Sequence, residues 1–453
     1  MKTDCIALVL AAGEGKRMKS SLPKVLHKAA GKALAHWVVD AAREAAGTEP
    51  VIVVGNGADM VKEYFGENAR YAVQAEQKGT GHAVMCAADY LNGSAYALIV
   101  AGDMPLLRAR TLIDLKEKAM KENLGVCVLS ALMEDPADYG RVVRGDTLRI
   151  VERKDAKPEE LSIKEVNASV YCFSTPRLLE ALESLSDDNA QGEYYLTDCV
   201  AYISEKGYGA SAVICADAGE CMGVNDRAQL AAASKALRRR INERHMLEGV
   251  TLIDPENTYI DYGVKIAKDV VIYPGVTLEG NTEIAQGAVL YPGSRIEDST
   301  IGQRTVVQNS VIISSRIGDD SKIGPYAYLR PGSVVGSGCR VGDFVEVKNA
   351  TIADGAKVSH LSYIGDGEIG EKSNIGCGVV FVNYDGIKKS RTVVGKNAFV
   401  GCNVNLIAPV KVGDGAYVAA GSTVTKDVEE DALCIARSRQ TVIEGWAKRR
   451  RGE

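Results

Sequence analysis

The sequence predicts an α/β domain with a mostly parallel sheet, then a helical linker, then a parallel β-helix. Three patterns predict this order: aliphatic runs alternate with helical stretches in the first half, residues 226–248 are helical throughout, and aliphatic residues recur every six positions after residue 260. A chain of 453 residues has room for two or three domains. We therefore predict domains at 1–227 and 249–453, joined by a linker at 228–248.

The composition is that of an ordinary globular protein, since 46% of the residues are hydrophobic and 25% are charged. The formal net charge of −5 argues against a general nucleic-acid-binding or membrane-surface protein. Aliphatic runs are too short for a transmembrane helix, and residues 1–10 lack the features of a signal peptide. The eleven cysteines include no C-x-x-C pair, so we expect reduced thiols in a cytoplasmic protein.

The first half alternates strands with helices, which predicts a Rossmann-like sheet covered by helices on both faces. A hairpin is predicted at 139–152. In the helical stretch that follows, the arginines at 238–240 are expected to lie on a solvated face. The predicted strands are Ile6–Leu10, Val51–Val54, Ala97–Val100 and Val126–Ala131, and the predicted helices are Lys32–Ala46, Asp59–Phe65, Gly81–Leu91 and Thr111–Asn123.

The second half repeats one aliphatic residue every six positions. Neither a helix, with its period of 3.6, nor an ordinary strand, with its period of 2, produces this pattern. It fits coils of three short strands, each with one aliphatic side chain inside, stacked about 4.8 Å apart. A polar loop between Phe381 and Thr392 interrupts the repeat and is interpreted as functional. The runs are Ile266, Ile272, Leu278, Ile284, Leu290 and Ile296; Ile317, Ile323, Leu329, Val335, Val341 and Val347; and Val394, Val400, Leu406, Val412, Val418 and Val424.

The segment after the first predicted strand has the composition of a phosphate-binding loop. Gly13 and Gly15 let backbone N–H groups approach phosphate oxygens, and Lys24 adds positive charge. The segment matches neither a P-loop nor a dinucleotide fingerprint, so a plain turn remains the alternative. Asp103 follows a buried strand, where Mg²⁺ bridging phosphates would give its carboxylate a partner, and where a helix-cap aspartate is the alternative.

Polar side chains also interrupt the aliphatic repeat, at Arg330, Lys348, His360, Tyr363 and Asn374. Arg330 and Lys348 are 18 residues apart, a full coil, and Asp366 follows Lys348 at the same spacing, so the three should stack on one face. Such a cationic pair suits an anionic substrate such as a sugar phosphate. His360 suits a general base, with a hydrogen-bonded structural histidine as the alternative.

The string L-A-A-G-x-G-x-R-M-x-x-x-x-P-K at residues 10–24 resembles the signature of sugar-phosphate nucleotidyltransferases. The resemblance implies that the main chain holds the nucleotide phosphates, that Lys24 steadies the α-phosphate, and that Asp103 and Asn225 bind Mg²⁺. Lys16 stands where the family usually has threonine, and Ala101 where most relatives carry an aromatic residue. The nucleotide and sugar contacts implied are Leu10, Ala11, Ala12, Gly13, Lys24, Gln74, Gly79, Thr80, Ala101, Gly102, Asp103, Gly140, Glu152, Asn167 and Asn225.

The second half resembles hexapeptide acyltransferases, which implies a left-handed β-helix and a homotrimer. The whole chain resembles bifunctional enzymes that acetylate glucosamine 1-phosphate and then uridylylate the product, which supplies peptidoglycan and lipopolysaccharide-type synthesis. The resemblance implies that His360 is the base. Cys377 and Cys402 stand where relatives often have alanine and serine. The implied sugar-phosphate contacts are Arg330, Lys348, Tyr363 and Asn374, and the implied acetyl-CoA contacts are Cys377, Asn383, Tyr384, Cys402, Ala420 and Arg437.

Two alternatives stay open at this point. One is a single-activity pyrophosphorylase whose β-helix is regulatory or structural, as in ADP-glucose pyrophosphorylases. The other is a non-catalytic scaffold related to the eukaryotic initiation-factor exchange subunits. His360 and the acetyl-CoA residues argue against the first, and Lys24, Asp103 and Asn225 argue against the second. The basic tail from Arg437 to Arg451 is expected either to contact CoA phosphates or to be a disordered solubilising segment.

Overall fold

The computed structural model of the chain describes residues 3–453. The first two positions of the segment 1–10 considered above lie outside that range. Two compact units divide the chain, Met1–Leu237 and Arg238–Glu453. Within residues 3–453, no helix has both the length and the apolar character that a membrane span requires.

The first unit is built on a mixed sheet. Its strands, together with a two-stranded hairpin beside it, are β1 (Thr3–Ala11), β2 (Lys28–Ala29), β3 (Lys32–Ala33), β4 (Val51–Val54), β5 (Arg70–Val73), β6 (Ser94–Ala101), β7 (Val126–Leu132), β8 (Arg141–Val143), β9 (Arg149–Val151), β10 (Glu165–Ser174) and β11 (Ala210–Ile214). The sheet order is β11-β7-β10-β6-β1-β4-β5, with β8 and β9 as the hairpin attached to β10, and β2 pairing with β3. All ladders on the main path are parallel except those that β10 makes with β6 and β7. The predicted mostly parallel sheet is thus confirmed, with one antiparallel strand inside it.

Helices cover both faces of this sheet. Ala7 and Val9 of β1 enter one buried cluster, while Ile6 and Leu8 enter another, as alternation along a strand requires. The first helix starts at Leu34, two residues later than predicted, because Lys32 belongs to the β2–β3 hairpin. The helices are α1 (Leu34–Ala46), α2 (Ala58–Phe65), α3 (Thr80–Met85), α4 (Ala88–Leu91), α5 (Ala109–Lys121), α6 (Pro158–Leu161), α7 (Thr175–Glu183), α8 (Leu196–Glu205), α9 (Arg227–Leu247) and, at the end of the chain, α10 (Trp446–Arg451). The predicted helix Gly81–Leu91 is therefore split into α3 and α4.

The second unit is a parallel β-helix with three faces. One face holds Thr251–Leu252, Val271–Ile272, Val289–Leu290, Val306–Val307, Lys322–Ile323, Arg340–Asp343, Lys357–His360, Asn374–Ile375, Phe399–Val400, Tyr417–Val418 and Leu433–Cys434. The next holds Tyr259–Ile260, Thr277–Glu279, Arg295–Glu297, Val311–Ile313, Tyr328–Leu329, Glu346–Lys348, Tyr363–Gly365, Val380–Val382, Asn405–Ile407 and Thr423–Val424. The third holds Lys265–Ile266, Glu283–Ile284, Thr300–Ile301, Arg316–Ile317, Val334–Val335, Thr351–Ile352, Gly367–Ile369, Thr392–Val394 and Val410–Val412.

The six-residue repeat is the pattern of this interior. Every aliphatic residue of the three predicted runs is buried except Ile266, which is partly exposed. Each coil stacks on the next in register, so that for example Leu329 lies opposite Val347 and Ile375 opposite Val400. A side chain on one coil therefore has a predictable neighbour one coil away, and this register positions the polar residues of the second site.

Candidate active sites

The first candidate site lies where β1 and β6 end. Gly15 has a φ of +63°, and a Cβ on it would lie 2.6 Å from Lys24 Cβ, so the loop that leaves β1 can pack against Lys24 only with glycine there. Gly79 has a φ of +99°, and its Cβ would lie 2.6 Å from the carbonyl oxygen of Tyr194. Both glycines hold loops that form the walls of a cavity.

That cavity has a volume of about 600 Å³. Most of the nucleotide and sugar contacts predicted for this half line it. Asn225 is outside the lining but accepts a hydrogen bond from Lys24, which is part of the wall. Gly140 lies against Glu152, since a Cβ on Gly140 would fall 3.5 Å from both carboxylate oxygens. Predicted residues in the lining are Leu10, Ala11, Ala12, Gly13, Lys24, Gln74, Gly79, Thr80, Ala101, Asp103, Glu152 and Asn167. Gly102 is outside the lining and packs closely on β1, where a Cβ would lie 2.9 Å from the Leu10 carbonyl oxygen.

Lys24, Asp103 and Asn225 meet on one side of the cavity. The Lys24 ammonium forms an ion pair with Asp103 and donates a hydrogen bond to Asn225 Oδ1 at 3.0 Å. The side chains of Lys24 and Asp103 are only 15% and 17% exposed, so this ion pair is partly shielded from solvent. The two predicted metal ligands, 122 residues apart in sequence, therefore present their oxygens to the same positive charge.

The other end of the cavity is built around Asn167 and Glu152. A register shift in β10 between Asn167 and Val170 forms a bulge, a feature common beside functional sites, and Asn167 Nδ2 donates to the Tyr171 hydroxyl at 2.7 Å. Burial raises the pKa of Glu152, although a hydrogen bond from the Thr197 hydroxyl acts in the opposite direction.

Several residues of this wall were not predicted from the sequence. Ser169, Tyr171 and Thr197 line the cavity, but none of them was identified as a site residue. Ser169 and Tyr171 follow Asn167 closely in sequence, which is a usable signal, but the bulge that exposes them to the cavity is not visible in the residue types. Thr197 comes from α8, and nothing in its sequence neighbourhood indicates the site.

The second candidate site is on the β-helix, where His360 meets Asp343. These residues are opposite each other in neighbouring coils, and His360 Nδ1 lies 2.8 Å from Asp343 Oδ1. The pKa of Asp343 is lowered by its own backbone N–H and by the hydrogen bond with His360. An imidazole that donates from Nδ1 keeps Nε2 free to accept a proton. His360 was predicted from the sequence and Asp343 was not, although Asp343 lies opposite His360 in the coil register.

A cationic cluster lies on the next face of the coil. Arg330 stacks above Lys348, as predicted, and its guanidinium donates to Glu346 at 2.8 Å. The ammonium of Lys348 lies beside that of Lys389 and lowers the pKa of Lys389. Lys389 belongs to the loop that interrupts the repeat and was missed, because only the folded loop brings it back to Lys348.

The predicted stacking of Asp366 on Lys348 is wrong by one position, since Lys348 pairs with Gly365. Asp366 is instead buried under the loop, where it accepts hydrogen bonds from Asn349 at 2.7 Å and from Asn383. Burial alone would raise the pKa of Asp366, but these hydrogen bonds and the nearby lysines lower it. Asp366 therefore fixes Asn383, and with it the start of the loop.

Several predicted acetyl-CoA contacts occupy one corner of the β-helix. Cys377, Cys402 and Ala420 hold the same turn position in successive coils. The Asn403 N–H donates to the Cys377 carbonyl at 2.7 Å, and the Gly421 N–H donates to the Cys402 carbonyl at 2.8 Å. His360 occupies the preceding coil at this corner, since the N–H of Gly378 donates to its carbonyl. Arg437 reaches the last of these turns, where its Cδ lies 3.9 Å from a Cβ placed on Gly421.

The remaining predicted contacts are less closely joined to His360. The Tyr384 hydroxyl donates to the Gly386 carbonyl at 2.6 Å within its own loop. Asn374 lies in the ladder opposite Lys357 and Phe399. The hydroxyl of Tyr363 lies 2.5 Å from a Cβ placed on Gly365, so only glycine leaves room for this tyrosine.

Two family models match the chain. The MobA-like NTP transferase domain matches residues 7–199. The bacterial transferase hexapeptide model, which describes six repeats, matches residues 314–349 and 391–426. These matches confirm the predicted fold classes, a nucleotidyltransferase domain followed by a left-handed β-helix of hexapeptide repeats.

Curated relatives align with nearly the whole chain. The bifunctional protein GlmU of Caldanaerobacter subterraneus is 50% identical over 450 residues, which are 99% of this chain and 98% of the relative. The bifunctional protein GlmU of Clostridium perfringens strain SM101 is 51% identical over 98% of this chain and 99% of its own. That of Acetivibrio thermocellus is 48% identical over 98% of this chain and 97% of its own. With its two matched folds in the same order and such identity end to end, the chain belongs to the family of bifunctional GlmU proteins.

Proposed function

We propose that this chain acetylates glucosamine 1-phosphate with acetyl-CoA and then transfers UMP from UTP to N-acetylglucosamine 1-phosphate, giving UDP-N-acetylglucosamine and pyrophosphate. The observation that carries the proposal is that each unit has its own constellation. In the first unit, Lys24, Asp103 and Asn225 meet on one side of a cavity. Asp343 and His360 pair on the β-helix, which a regulatory or structural β-helix does not require.

In acetyl transfer, the amine of glucosamine 1-phosphate attacks the thioester carbonyl and loses a proton, and CoA leaves as the thiol. His360 accepts that proton at Nε2, while Asp343 holds the imidazole through Nδ1. Three cationic side chains hold the sugar phosphate, those of Arg330, Lys348 and Lys389. Tyr363 and Asn374 contact the same substrate. Acetyl-CoA lies along the corner defined by Cys377, Cys402 and Ala420, with Asn383, Tyr384 and Arg437 at its edges.

In uridylyl transfer, the phosphate of N-acetylglucosamine 1-phosphate attacks the α-phosphorus of UTP. The backbone of residues 10–13 holds the nucleotide phosphates, and the Lys24 ammonium stabilises negative charge on the α-phosphate as pyrophosphate leaves. Glu152 and Asn167 bind the sugar at the far end of the cavity, and Gln74 and Thr80 contact the base. The sugar phosphate is itself the nucleophile, so no covalent intermediate with the protein is needed.

Membership of this nucleotidyltransferase family indicates that the reaction requires a divalent metal ion, and we propose that the ion is Mg²⁺. The residues present fit such an ion, because Asp103 and Asn225 offer oxygen ligands that converge on one cationic position. Among residues 3–453, no group of three or more His, Cys, Asp or Glu side chains could hold a metal, so substrate phosphates would complete the shell. When bound, Mg²⁺ would neutralise charge on the phosphate oxygens.

We also propose a homotrimer, in which a neighbouring copy would cover the exposed surface beside His360. The His360 side chain is 55% exposed, whereas small-molecule sites usually enclose most of their ligand. Threefold closure would repeat the same heterologous contact. Sedimentation analysis tests the idea, and an active monomer would contradict it.

A cytoplasmic location is also proposed, on the ground that all eleven cysteines are free thiols. There the product would supply peptidoglycan and lipopolysaccharide-type synthesis.

The domain boundaries at 1–227, 228–248 and 249–453 stay a prediction, which a fragment of residues 1–229 tests through its uridylyltransferase activity. A fragment that folds but is inactive would contradict independent domains.

An assay that omits one component at a time tests the whole proposal. The protein is incubated with glucosamine 1-phosphate, acetyl-CoA, UTP and Mg²⁺, and both thiol and pyrophosphate release are measured. Without acetyl-CoA, pyrophosphate release should stop and should return on addition of N-acetylglucosamine 1-phosphate. Pyrophosphate release without thiol release would instead identify a single-activity pyrophosphorylase, and neither release would identify a scaffold.

A further inference from the structure

Two cysteines occupy equivalent positions in neighbouring coils of the β-helix. Ile375 pairs with Val400 before the turn and Val380 with Asn405 after it, so the register is the same on both sides. That register places Cys377 directly beside Cys402. The Asn403 N–H donates to the Cys377 carbonyl at 2.7 Å, which ties the two turns together.

Both thiols are accessible and unengaged. Cys402 is exposed and Cys377 partly exposed, whereas seven of the other nine cysteines are buried. Within residues 3–453, neither Sγ has a hydrogen-bond partner. The other two cysteines that are not buried lack such a neighbour: Cys86 lies 3.8 Å from His82 Nε2, and Cys434 pairs with Val418 in the ladder.

The spacing between coils limits what this pair can bind. Main chains in register on neighbouring strands lie about 4.8 Å apart. A disulfide joins residues whose Cα atoms lie about 4.4–6.8 Å apart, so this spacing admits a disulfide, and mild oxidation of the pair is part of the test. Two metal–sulfur bonds of about 2.3 Å placed end to end separate their sulfurs by about 4.6 Å, so two side chains in register are also close enough to share one ion.

We propose that Cys377 and Cys402 form a binding site for a soft cation in two-coordinate geometry, for which thiolates are the preferred ligands and Cu(I) is the representative ion. Binding would release one proton from each thiol, leave the oxidation state of copper unchanged and form two Cu–S bonds. The pair lies at the corner that also carries His360, so the bound ion would occupy the proposed acetyl-CoA surface. This consequence rests on the proposed function, whereas the binding itself does not.

The test titrates the reduced full-length protein with Cu(I) under anaerobic conditions against a chromophoric Cu(I) chelator. The wild type should take up one tightly held Cu(I) per chain. Cys377→Ser and Cys402→Ser should each weaken that binding by about 100-fold or more, since a second tethered ligand typically adds a factor of 10²–10⁴. Cys434→Ser, which changes a partly exposed cysteine elsewhere on the same β-helix, is the matched control and should bind like the wild type.

Activity measurements on the same samples separate this proposal from the proposed function. Cu(I) should inhibit formation of N-acetylglucosamine 1-phosphate by the wild type and leave pyrophosphate release intact. Pyrophosphate release by the variants shows that they are folded. Absence of acetyl transfer in the metal-free protein would contradict the proposed function but leave Cu(I) binding to be measured. Unchanged binding in both Cys377→Ser and Cys402→Ser, or a disulfide between the pair on mild oxidation without Cu(I) binding, would overturn the site.

Discussion

Replacing Asp343 with asparagine isolates the contribution of the His360–Asp343 pair. The amide keeps the size of the side chain but removes the negative charge that faces His360 Nδ1 at 2.8 Å. Such a change in a buried catalytic triad costs about 10⁴-fold in turnover. Here the two side chains are 55% and 40% exposed, so water can take over part of the role. We therefore expect a smaller loss, of about 10- to 100-fold in kcat, similar to the loss when a metal-ligating histidine loses the group that orients it.

Thiol release from acetyl-CoA measures this loss, and the pyrophosphate release of the same variant reports on folding. The KM for glucosamine 1-phosphate should change little, because Arg330, Lys348 and Lys389 hold the phosphate. His360→Ala alone should cost about 10²–10⁴-fold in turnover, the usual effect of general-base catalysis.

The double variant provides the sharper comparison. If Asp343 acts only through His360, adding Asp343→Asn to His360→Ala should cause no further loss, because the two changes remove one shared function. A wild-type kcat in Asp343→Asn, or additive losses in the double variant, would refute the reasoning. The first result would make Asp343 a structural partner, and the second would give it a separate role.

Asp103→Ala should abolish uridylyl transfer while leaving acetyl transfer intact, and a parallel fall in thiol release would contradict separate sites. Lys389→Met should raise the KM for glucosamine 1-phosphate on the order of tenfold, because it removes one charge-assisted hydrogen bond to the phosphate. Lys265→Met, at the surface of an early coil, is the control, and an unchanged KM in Lys389→Met would remove Lys389 from the site. Glu152→Gln should raise the Tm at pH 7 and weaken sugar binding. Burial raises the pKa of Glu152 above its ordinary value of 4.5, so ionisation of the native carboxylate costs stability as pH rises. The gain in Tm should therefore vanish below about pH 4.5, where the carboxyl group is protonated in both the native and the unfolded state. A gain in Tm that is independent of pH would exclude this cause.

The fold could be predicted from sequence because its periodicities are regular. Aliphatic runs located β1, β4, β6 and β7, and the six-residue repeat located the interior of the β-helix. The antiparallel β10 was not predicted, because its sequence, EVNASVYCFS, places polar residues among the apolar ones and does not form an aliphatic run. The break between α3 and α4 also escaped notice, since helical periodicity continues across it.

The sites were predictable where function is carried by residue type and order, and less so where it is carried by register. His360 is conspicuous because it is the only histidine after residue 250. Asp343 is one of many surface aspartates until the ladder places it opposite His360. Lys389 lies in a segment with no period, so its approach to Lys348 follows only from the folded loop. The misplacement of Asp366 has a related cause, since the assumed coil was one residue too long there.

The loop between Phe381 and Thr392 shows how such a fold can acquire new function during evolution. The ladder resumes after the loop, with Thr392 opposite Gly367 and Val394 opposite Ile369, so the added residues leave the aliphatic interior in place. Doubling the length of a flexible loop costs only about 0.6 kcal/mol in closure entropy. A corner of the solenoid is therefore a place where insertions of different length can be tried with little effect on folding, and substrate-binding segments can diversify there while the coils beneath stay the same.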